Sequence, residues 1–336
     1  MMRNIFLLGA YPPPYGGVAM FVHTLHGLLT QQGFKCHRYS DVTNLLKDSK
    51  KIRRHDICLD NCYFFLEYPS VKLTTAWLAF YLSKKFKWVK FIHNASLPQR
   101  YDNHTLLQKM ISLMAMKCAD DIIVVSEALQ DWLASRFHIT EKVSLIRSLL
   151  PLTHKSVSLP PDLKQKIESY TKLVCSIGVF TSNYGFKHVA DAVEKLRHDS
   201  ELNVGLILID GTFSRDTKYR TEVLKERNWI TVLENIPHPQ VLEILSISDV
   251  FVRGVELESY GISRVEAIWC GVPVVGTKVG EIRGILLYDY GNVDELMSQI
   301  NEALFNPAQR GSIELWRREF QKEAEKNLES IIKIIG

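Results

Sequence analysis

Two carboxylates, Glu258 and Glu266, stand eight positions apart in the stretch "ELESYGISRVEAIWCGVP", residues 256–273. Glu258 precedes a turn-like Ser259-Tyr260-Gly261, and Glu266 sits in an apolar run that Gly271 and Pro273 close. Arg253 ends an apolar run five residues before Glu258, while Gly261, Ile262 and Ser263 fall at the start of the next helix. A guanidinium can grip phosphate oxygens with two parallel hydrogen bonds, and a helix N-terminus offers free N–H groups to an anion. A carboxylate can accept two hydrogen bonds from a vicinal diol. A diphosphate flanked by diols describes a nucleotide sugar. The plainer alternative makes Glu258 a surface acid favoured by the helix dipole, worth about 1 kcal/mol or less, and puts Glu266 on a wet helix face.

Three further places could meet a ligand. Gly16-Gly17 follows the first apolar run and precedes an amphipathic segment, so the backbone can turn sharply there and approach an anion closely. The spacing is neither the Gly-x-Gly-x-x-Gly of dinucleotide folds nor a P-loop, and a structural turn explains it equally well. His93 ends the strand-like "KWVKFIHN", where a hydrogen-bonded core histidine is the commoner outcome. In "CSIGVFTSNYG" a strand runs into a loop ending at Gly185, which either binds phosphate or merely turns.

The elements that must position these residues alternate regularly. Strands are expected at Ile5–Leu8, Cys36–Tyr39, Ile57–Asp60, Val89–Ile92, Ile122–Val125 and Val143–Ile146, with helices between most of them; Ser126 is the expected N-cap of the helix over 127–137. The pattern breaks at "SLLPLTHKSVSLPP" and restarts with strands at Lys172–Ile177, Val204–Ile209, Ile230–Leu233, Val250–Arg253 and Pro273–Gly276. A long charged helix over about 308–334 closes the chain and is long enough to return to the first domain. The expected fold is α/β, two Rossmann-like doubly wound parallel-sheet domains facing a cleft, with domains at 1–150 and 151–307 and the closing helix at 308–336.

Composition narrows the classes. The 336 residues are 46% hydrophobic and 23% charged, which suits two globular domains. No apolar run has the roughly 18 to 20 residues of a membrane span, and the apolar stretch Ile5 to Gly9 is too short for a signal peptide. Six cysteines at 36, 58, 62, 118, 175 and 270 fit neither a zinc set nor a disulfide framework and read as reduced core residues of a cytoplasmic protein. Residues 1–150 hold nineteen Lys and Arg against eleven Asp and Glu; the rest hold twenty-two against twenty-six. A basic first half implies an anionic partner, and no nucleic-acid motif accompanies it. From Lys72 to Arg100 there is no acid, and Lys72, Lys84, Lys85, Lys87, Lys90 and Arg100 interleave with Trp77, Phe80, Tyr81, Phe86 and Trp88. That run is expected either to meet an anionic membrane or to be a core helix and buried strand with lysines in water.

Glu258-x7-Glu266, followed by Ala267 and by Cys270-Gly271-Val272-Pro273-Val274-Val275, resembles the signature of glycosyltransferase family 4. "PPPYGGVA" is similar to that family's first-domain glycine loop, "FIHN" to its histidine-bearing strand end, and "ADDIIVVSEALQDWL" to the strand–helix unit after it. The resemblance implies a GT-B fold, transfer with retention of anomeric configuration, no cofactor and no metal, with a nucleoside-diphosphate sugar as co-substrate. It implies that Glu266 holds the ribose diol and that Glu258 contacts donor-sugar hydroxyls. Gly16 and Gly17 would approach the diphosphate, and His93 would face the sugar near the reacting carbon. One departure stands out: where many members carry an Arg and a Lys aimed at the diphosphate, this chain has Val179 and Tyr184. Arg253 is the expected replacement, with Lys187 and Arg264 as weaker candidates. The resulting expectation is an enzyme that builds a cell-surface polysaccharide on a glycan or lipid-linked acceptor, in the cytoplasm at the inner face of the membrane. A catalytically silent GT-B partner that binds glycan or scaffolds a complex is the alternative, and a dinucleotide oxidoreductase lacks its glycine spacing.

Overall fold

The computed structural model describes residues 3–13, 15–48, 52–53, 56–61, 73–147, 149–150, 156–200, 202–211 and 216–336. It divides into two compact units, one of Met1–Pro12, Val18–Pro151 and Ala324–Gly336, the other of Pro13–Gly17 and Leu152–Glu323. Pro14, Cys62, Glu67, Lys72 and part of the expected linker, residues 148 and 151–155, lie outside the described residues.

The first unit's elements run β1 (Asn4–Leu8), α1 (Gly17–Gln31), β2 (Lys35–Tyr39), α2 (Val42–Lys47), β3 (Ile57–Asp60), α3 (Leu73–Lys85), β4 (Lys87–Ile92), α4 (Leu97–Asp102), α5 (Leu106–Cys118), β5 (Asp121–Val124), α6 (Glu127–Phe137) and β6 (Val143–Leu145). All sheet pairings are parallel, in the order β2-β1-β3-β4-β5-β6. Helices on a parallel sheet leave strands buried on both faces, so β3 and β4 read as near-continuous buried runs. Ser126 caps α6 as expected, accepting from the Leu129 amide. The order reverses between β1 and β3, and there Asn61 donates its amide to the Leu8 carbonyl at 2.7 Å.

The second unit runs α7 (Pro161–Glu168), β7 (Lys172–Gly178), α8 (Phe186–Ser200), β8 (Val204–Asp210), α9 (Thr217–Leu224), β9 (Ile230–Glu234), α10 (His238–Ile247), β10 (Val250–Arg253), α11 (Ile262–Trp269), β11 (Val274–Thr277), β12 (Ile285–Tyr288), α12 (Val293–Phe305) and α13 (Pro307–Ile335). Its parallel sheet has the order β12-β11-β10-β7-β8-β9, which reverses between β7 and β10. The sequence reading omits β12 and α7. The residues around Pro161 read as a break, but a proline in the first turn starts a helix readily because its missing N–H has no partner to lose there.

The last turns of α13 belong to the first unit. Ile331 and Ile335 are buried among Ile5, Leu7, Phe21, Val89 and Phe91, each worth about 1.5–3 kcal/mol in transfer from water. Lys87 donates to the Ile334 carbonyl and Arg3 to that of Gly336, placing cations on the helix's negative end.

Two sequence expectations need correction here. In the basic and aromatic run, Phe86, Trp88 and Lys90 are inside the unit, at 3%, 1% and 4% exposure. The Trp88 indole donates to Asp60, and the Lys90 ammonium lies 3.4 Å from the same carboxylate, because the parallel register sets Lys90 opposite Asp60. A buried ammonium needs such a partner. With Lys87 also engaged, 3.6 Å from Asp121, this later part of the run belongs to the core, whereas Trp77 and Phe80 on α3 stay exposed. Of the cysteines, Cys58 and Cys175 are core residues, whereas Cys36, Cys118 and Cys270 are only half-buried.

Candidate active site

Arg253 stands at the C-terminal end of β10, beside the end of β7, where the strand order of the second unit reverses. Doubly wound sheets bind ligands at such a switch point, because the loops leaving the two strands part in opposite directions. Both loops are shaped by glycine. Gly185 follows the β7 loop at φ +66°, and a Cβ there would lie 2.0 Å from the Gly254 carbonyl oxygen. Gly261 precedes α11 at φ +85°, where a Cβ would lie 2.5 Å from a Glu258 oxygen. No other residue allows the two loops, or the helix start and Glu258, to approach this closely.

Glu258 is locked between two arginines. Arg253 Nε donates to both of its oxygens at 3.2 and 3.3 Å and Nη2 to Oε1 at 2.5 Å, while Arg264 Nε lies 3.5 Å from Oε2. The side chains of Arg253 and Glu258 are only 12% and 11% exposed. Burial alone would raise the Glu258 pKa, but the Arg253 charge and hydrogen bonds, helped by Arg264, hold it below the usual carboxylate range. Glu258 is therefore not the surface acid of the plainer sequence alternative. Arg253 also bridges the switch point by donating Nη1 to the Ile177 carbonyl of β7, and its guanidinium lies 5.2 Å from the Tyr184 ring centre. These contacts use three of its five N–H groups, so one on each terminal nitrogen has no partner among the described residues.

The weaker cation candidates are placed differently. Lys187 pairs along its own helix with Asp191 at 2.7 Å and with Glu222 at 3.9 Å. Arg264 is fully buried and donates Nη1 to the carbonyls of Thr277, Val279 and Glu281. Its room comes from Gly276, where a Cβ would press on the guanidinium carbon at 3.1 Å. Arg264 thus backs Glu258 and holds the loop after β11. Val179 is buried and apolar, and Tyr184 contributes its ring face to Arg253.

Glu266, on α11, is buried at 6% exposure, which excludes the wet-face alternative. His238 Nε2, at the start of α10, lies 2.8 Å from Glu266 Oε1; Oε2 accepts no hydrogen bond from the described residues. Burial works against the His238 imidazolium, but the Glu266 charge and hydrogen bond outweigh it and raise the pKa above the ordinary value. Sequence reasoning missed this pairing, since nothing links positions 238 and 266 before the fold is known. Ser263 is buried in the first turn of α11 behind Ile262, and Gly261 is that helix's N-cap.

The His238 shift has a testable sign. A raised folded pKa makes the pair stabilising below the unfolded value of about 6.5, and the contribution is lost as pH climbs through the folded value. His238→Gln should therefore lower the melting temperature more in mildly acidic than in mildly alkaline buffer. An equal loss in both would show that the pair does not titrate in this way.

In the first unit, His93 follows β4 and is half-buried, its Nε2 2.9 Å from Asn61 Oδ1. Burial, with the Lys90 charge second, pushes its pKa down to about 3, so the ring is neutral near pH 7. An amide oxygen only accepts, so Nε2 carries the proton. Gly17 is the first residue of α1, with Gly16 just before it. Among the described residues no group of three His, Cys, Asp or Glu is placed to hold a metal.

Comparison with known proteins meets this geometry directly. The family model described as "Glycosyl transferases group 1" matches residues 162–326, the span that carries Arg253, Glu258, Arg264 and Glu266. That span, just under half of the chain, is a group 1 glycosyltransferase domain. A curated relative, the phosphatidylinositol N-acetylglucosaminyltransferase GPI3 subunit of Saccharomyces cerevisiae (strain YJM789), is 23% identical over 193 residues, 55% of this chain. The match spans 43% of that relative, under half its length. HepE of Anabaena, solved with UDP and glucose, superposes with a TM-score of 0.72 at 17% identity over 99% of each chain. Sucrose-phosphate synthase of Thermosynechococcus elongatus gives 0.66 at 17% identity, over 99% of this chain and 96% of that one. At such identities these structures establish the fold alone, GT-B.

Proposed function

We propose that this chain is a retaining glycosyltransferase that moves a sugar from a nucleoside diphosphate to a glycan or lipid-linked acceptor in building a cell-surface polysaccharide, at the inner face of the membrane. The observation that carries the reading is the switch-point cluster of the second unit. There a partly satisfied arginine and two largely buried carboxylates, one held by Arg253 and Arg264 and the other by His238, converge beside the N-terminus of α11. In this reading Arg253 turns its two remaining N–H groups to the diphosphate, with Gly16 and Gly17 also near it. Glu266 Oε2 and Glu258 accept from the ribose and sugar hydroxyls, and neutral His93 faces the sugar. The bond from the anomeric carbon to the phosphate oxygen breaks with its electron pair leaving on the diphosphate. The acceptor hydroxyl attacks the same face, and its proton passes to that phosphate oxygen. Catalysis then rests on stabilising leaving-group charge and on positioning, with no protein nucleophile required.

The second reading, a catalytically silent partner, is favoured by the Val179 and Tyr184 replacements alone. A thermal-shift panel of UDP, GDP, ADP and CMP sugars, followed by slow hydrolysis of the stabilising donor by pure protein, separates the two. Hydrolysis supports transfer; binding without hydrolysis or transfer supports the silent partner. Glu258→Gln should lower hydrolysis on the order of 10- to 100-fold while nucleoside diphosphate affinity is at least retained, because Arg253 is partly released. Loss of diphosphate affinity in that variant would contradict the division of roles.

A further inference from the structure

Six of the eleven large apolar side chains exposed among the described residues sit on α3 and α5, two helices packed together in the first unit. They are Trp77 (59% exposed), Phe80 (56%), Leu106 (82%), Leu107 (57%), Met110 (62%) and Met114 (55%). On α5 the four share one face by helical spacing, opposite the buried Ile111, Ala115 and Met116. On α3 the Trp77 and Tyr81 rings stack at 5.5 Å, and the Lys84 and Lys85 ammonium groups lie 5.3 and 6.0 Å from the Phe80 and Tyr81 ring centres. Neither helix contains an Asp or Glu, and each carries two lysines. A solvated helix face mixes polar groups of both signs; the large exposed side chains described on these two faces are apolar or cationic.

We propose that α3 and α5 form a docking face that seats in the headgroup region of an anionic lipid bilayer. Leu, Met and Trp side chains bury their apolar bodies at the acyl boundary, while lysine stems lie along that surface and lift their ammonium groups to lipid phosphates. No helix among the described residues is long and apolar enough to cross a membrane, so contact of this kind is interfacial. A second copy of this chain fits less well. A two-fold contact through the same face sets Lys84, Lys85 and Lys117 against their equivalents, with no acid on either helix to compensate. Of the basic and aromatic run in the sequence, this face keeps Trp77, Phe80, Tyr81, Lys84 and Lys85 and leaves out the buried Phe86, Trp88 and Lys90. It rests on the lipid-linked-acceptor reading only for its purpose, since the surface argument stands without any donor chemistry.

The test is sedimentation of the pure full chain with vesicles of phosphatidylcholine alone and of equal parts phosphatidylcholine and phosphatidylglycerol. Strong partitioning to the anionic vesicles, reversed by added salt and weak on neutral ones, is expected. Lys84→Gln with Lys85→Gln should reduce partitioning about 25-fold, roughly fivefold per lysine. Met110→Glu with Met114→Glu should reduce it further, with melting temperature and donor hydrolysis unchanged. Equal partitioning to both vesicles or to neither, or variants that bind like the parent, overturns the proposal. So does a concentration-dependent dimer that the Met110→Glu variant dissociates, which would assign the face to a second copy. Donor hydrolysis by a chain that ignores vesicles sinks the docking face alone; vesicle binding without hydrolysis leaves the face standing and sinks the transferase reading.

Discussion

Glu266→Gln is expected to cost about 10- to 150-fold in affinity for the nucleoside diphosphate and for its sugar ester alike, since one charged hydrogen-bonding group contributes about 1.5–3 kcal/mol. The carboxylate is buried in α11, and His238 occupies Oε1 alone. Oε2 accepts no hydrogen bond from the described residues, so it is available to a ligand hydroxyl. A glutamine that keeps its oxygen toward His238 turns an amide toward the ligand, so two donors face the donors of a diol. The loss should be equal for nucleotide and nucleotide sugar, because both carry the ribose. Calorimetry with the selected nucleotide checks it, and parent-like affinity in the variant would remove Glu266 from the ribose.

Arg253→Ala should have two separable effects. The first is on stability: it strips the main partner from a carboxylate only 11% exposed, and breaking a buried pair costs about 3–5 kcal/mol, here moderated because Arg264 remains 3.5 Å from Glu258. The second is on binding: nucleoside diphosphate affinity should fall about 10- to 150-fold, monophosphate affinity by clearly less, and turnover further still, since leaving-group charge grows toward the transition state. The double variant Arg253→Ala with Glu258→Gln should recover much of the melting temperature, as no carboxylate charge is then stranded, and should stay poor at holding diphosphate. A purely structural Arg253, serving only Glu258 and the Ile177 carbonyl, predicts equal losses for mono- and diphosphate that vanish in the double variant.

Much of this arrangement is legible in the sequence because it depends on local pattern. Apolar runs ending at Arg253 and His93, and the Ser126 cap, follow from strand and helix signals within a few residues of themselves. What escaped depends on register and on contacts between distant segments. Lys90 reads as a surface cation until the parallel pairing sets it opposite Asp60, 30 positions earlier. His238 reads as one histidine among prolines until α10 and α11 pack. The double arginine grip on Glu258 needs the α11 helix to swing Arg264 beneath the loop, which residue spacing does not reveal. β12 escaped for a different reason: four residues at a sheet edge, with three of them only half-buried, leave too short an apolar signal.

The central claim is that the β10–α11 segment holds a ribonucleoside diphosphate with Glu266 on its diol. The direct measurement is a calorimetric comparison of that nucleotide with its 2′-deoxy counterpart, on the parent chain and on Glu266→Gln. The parent should prefer the ribose form on the order of tenfold, the worth of one hydrogen bond to a charged acceptor, and the variant should bind both forms equally weakly. A parent chain indifferent to the 2′-hydroxyl, or a variant that keeps the full preference, contradicts the account.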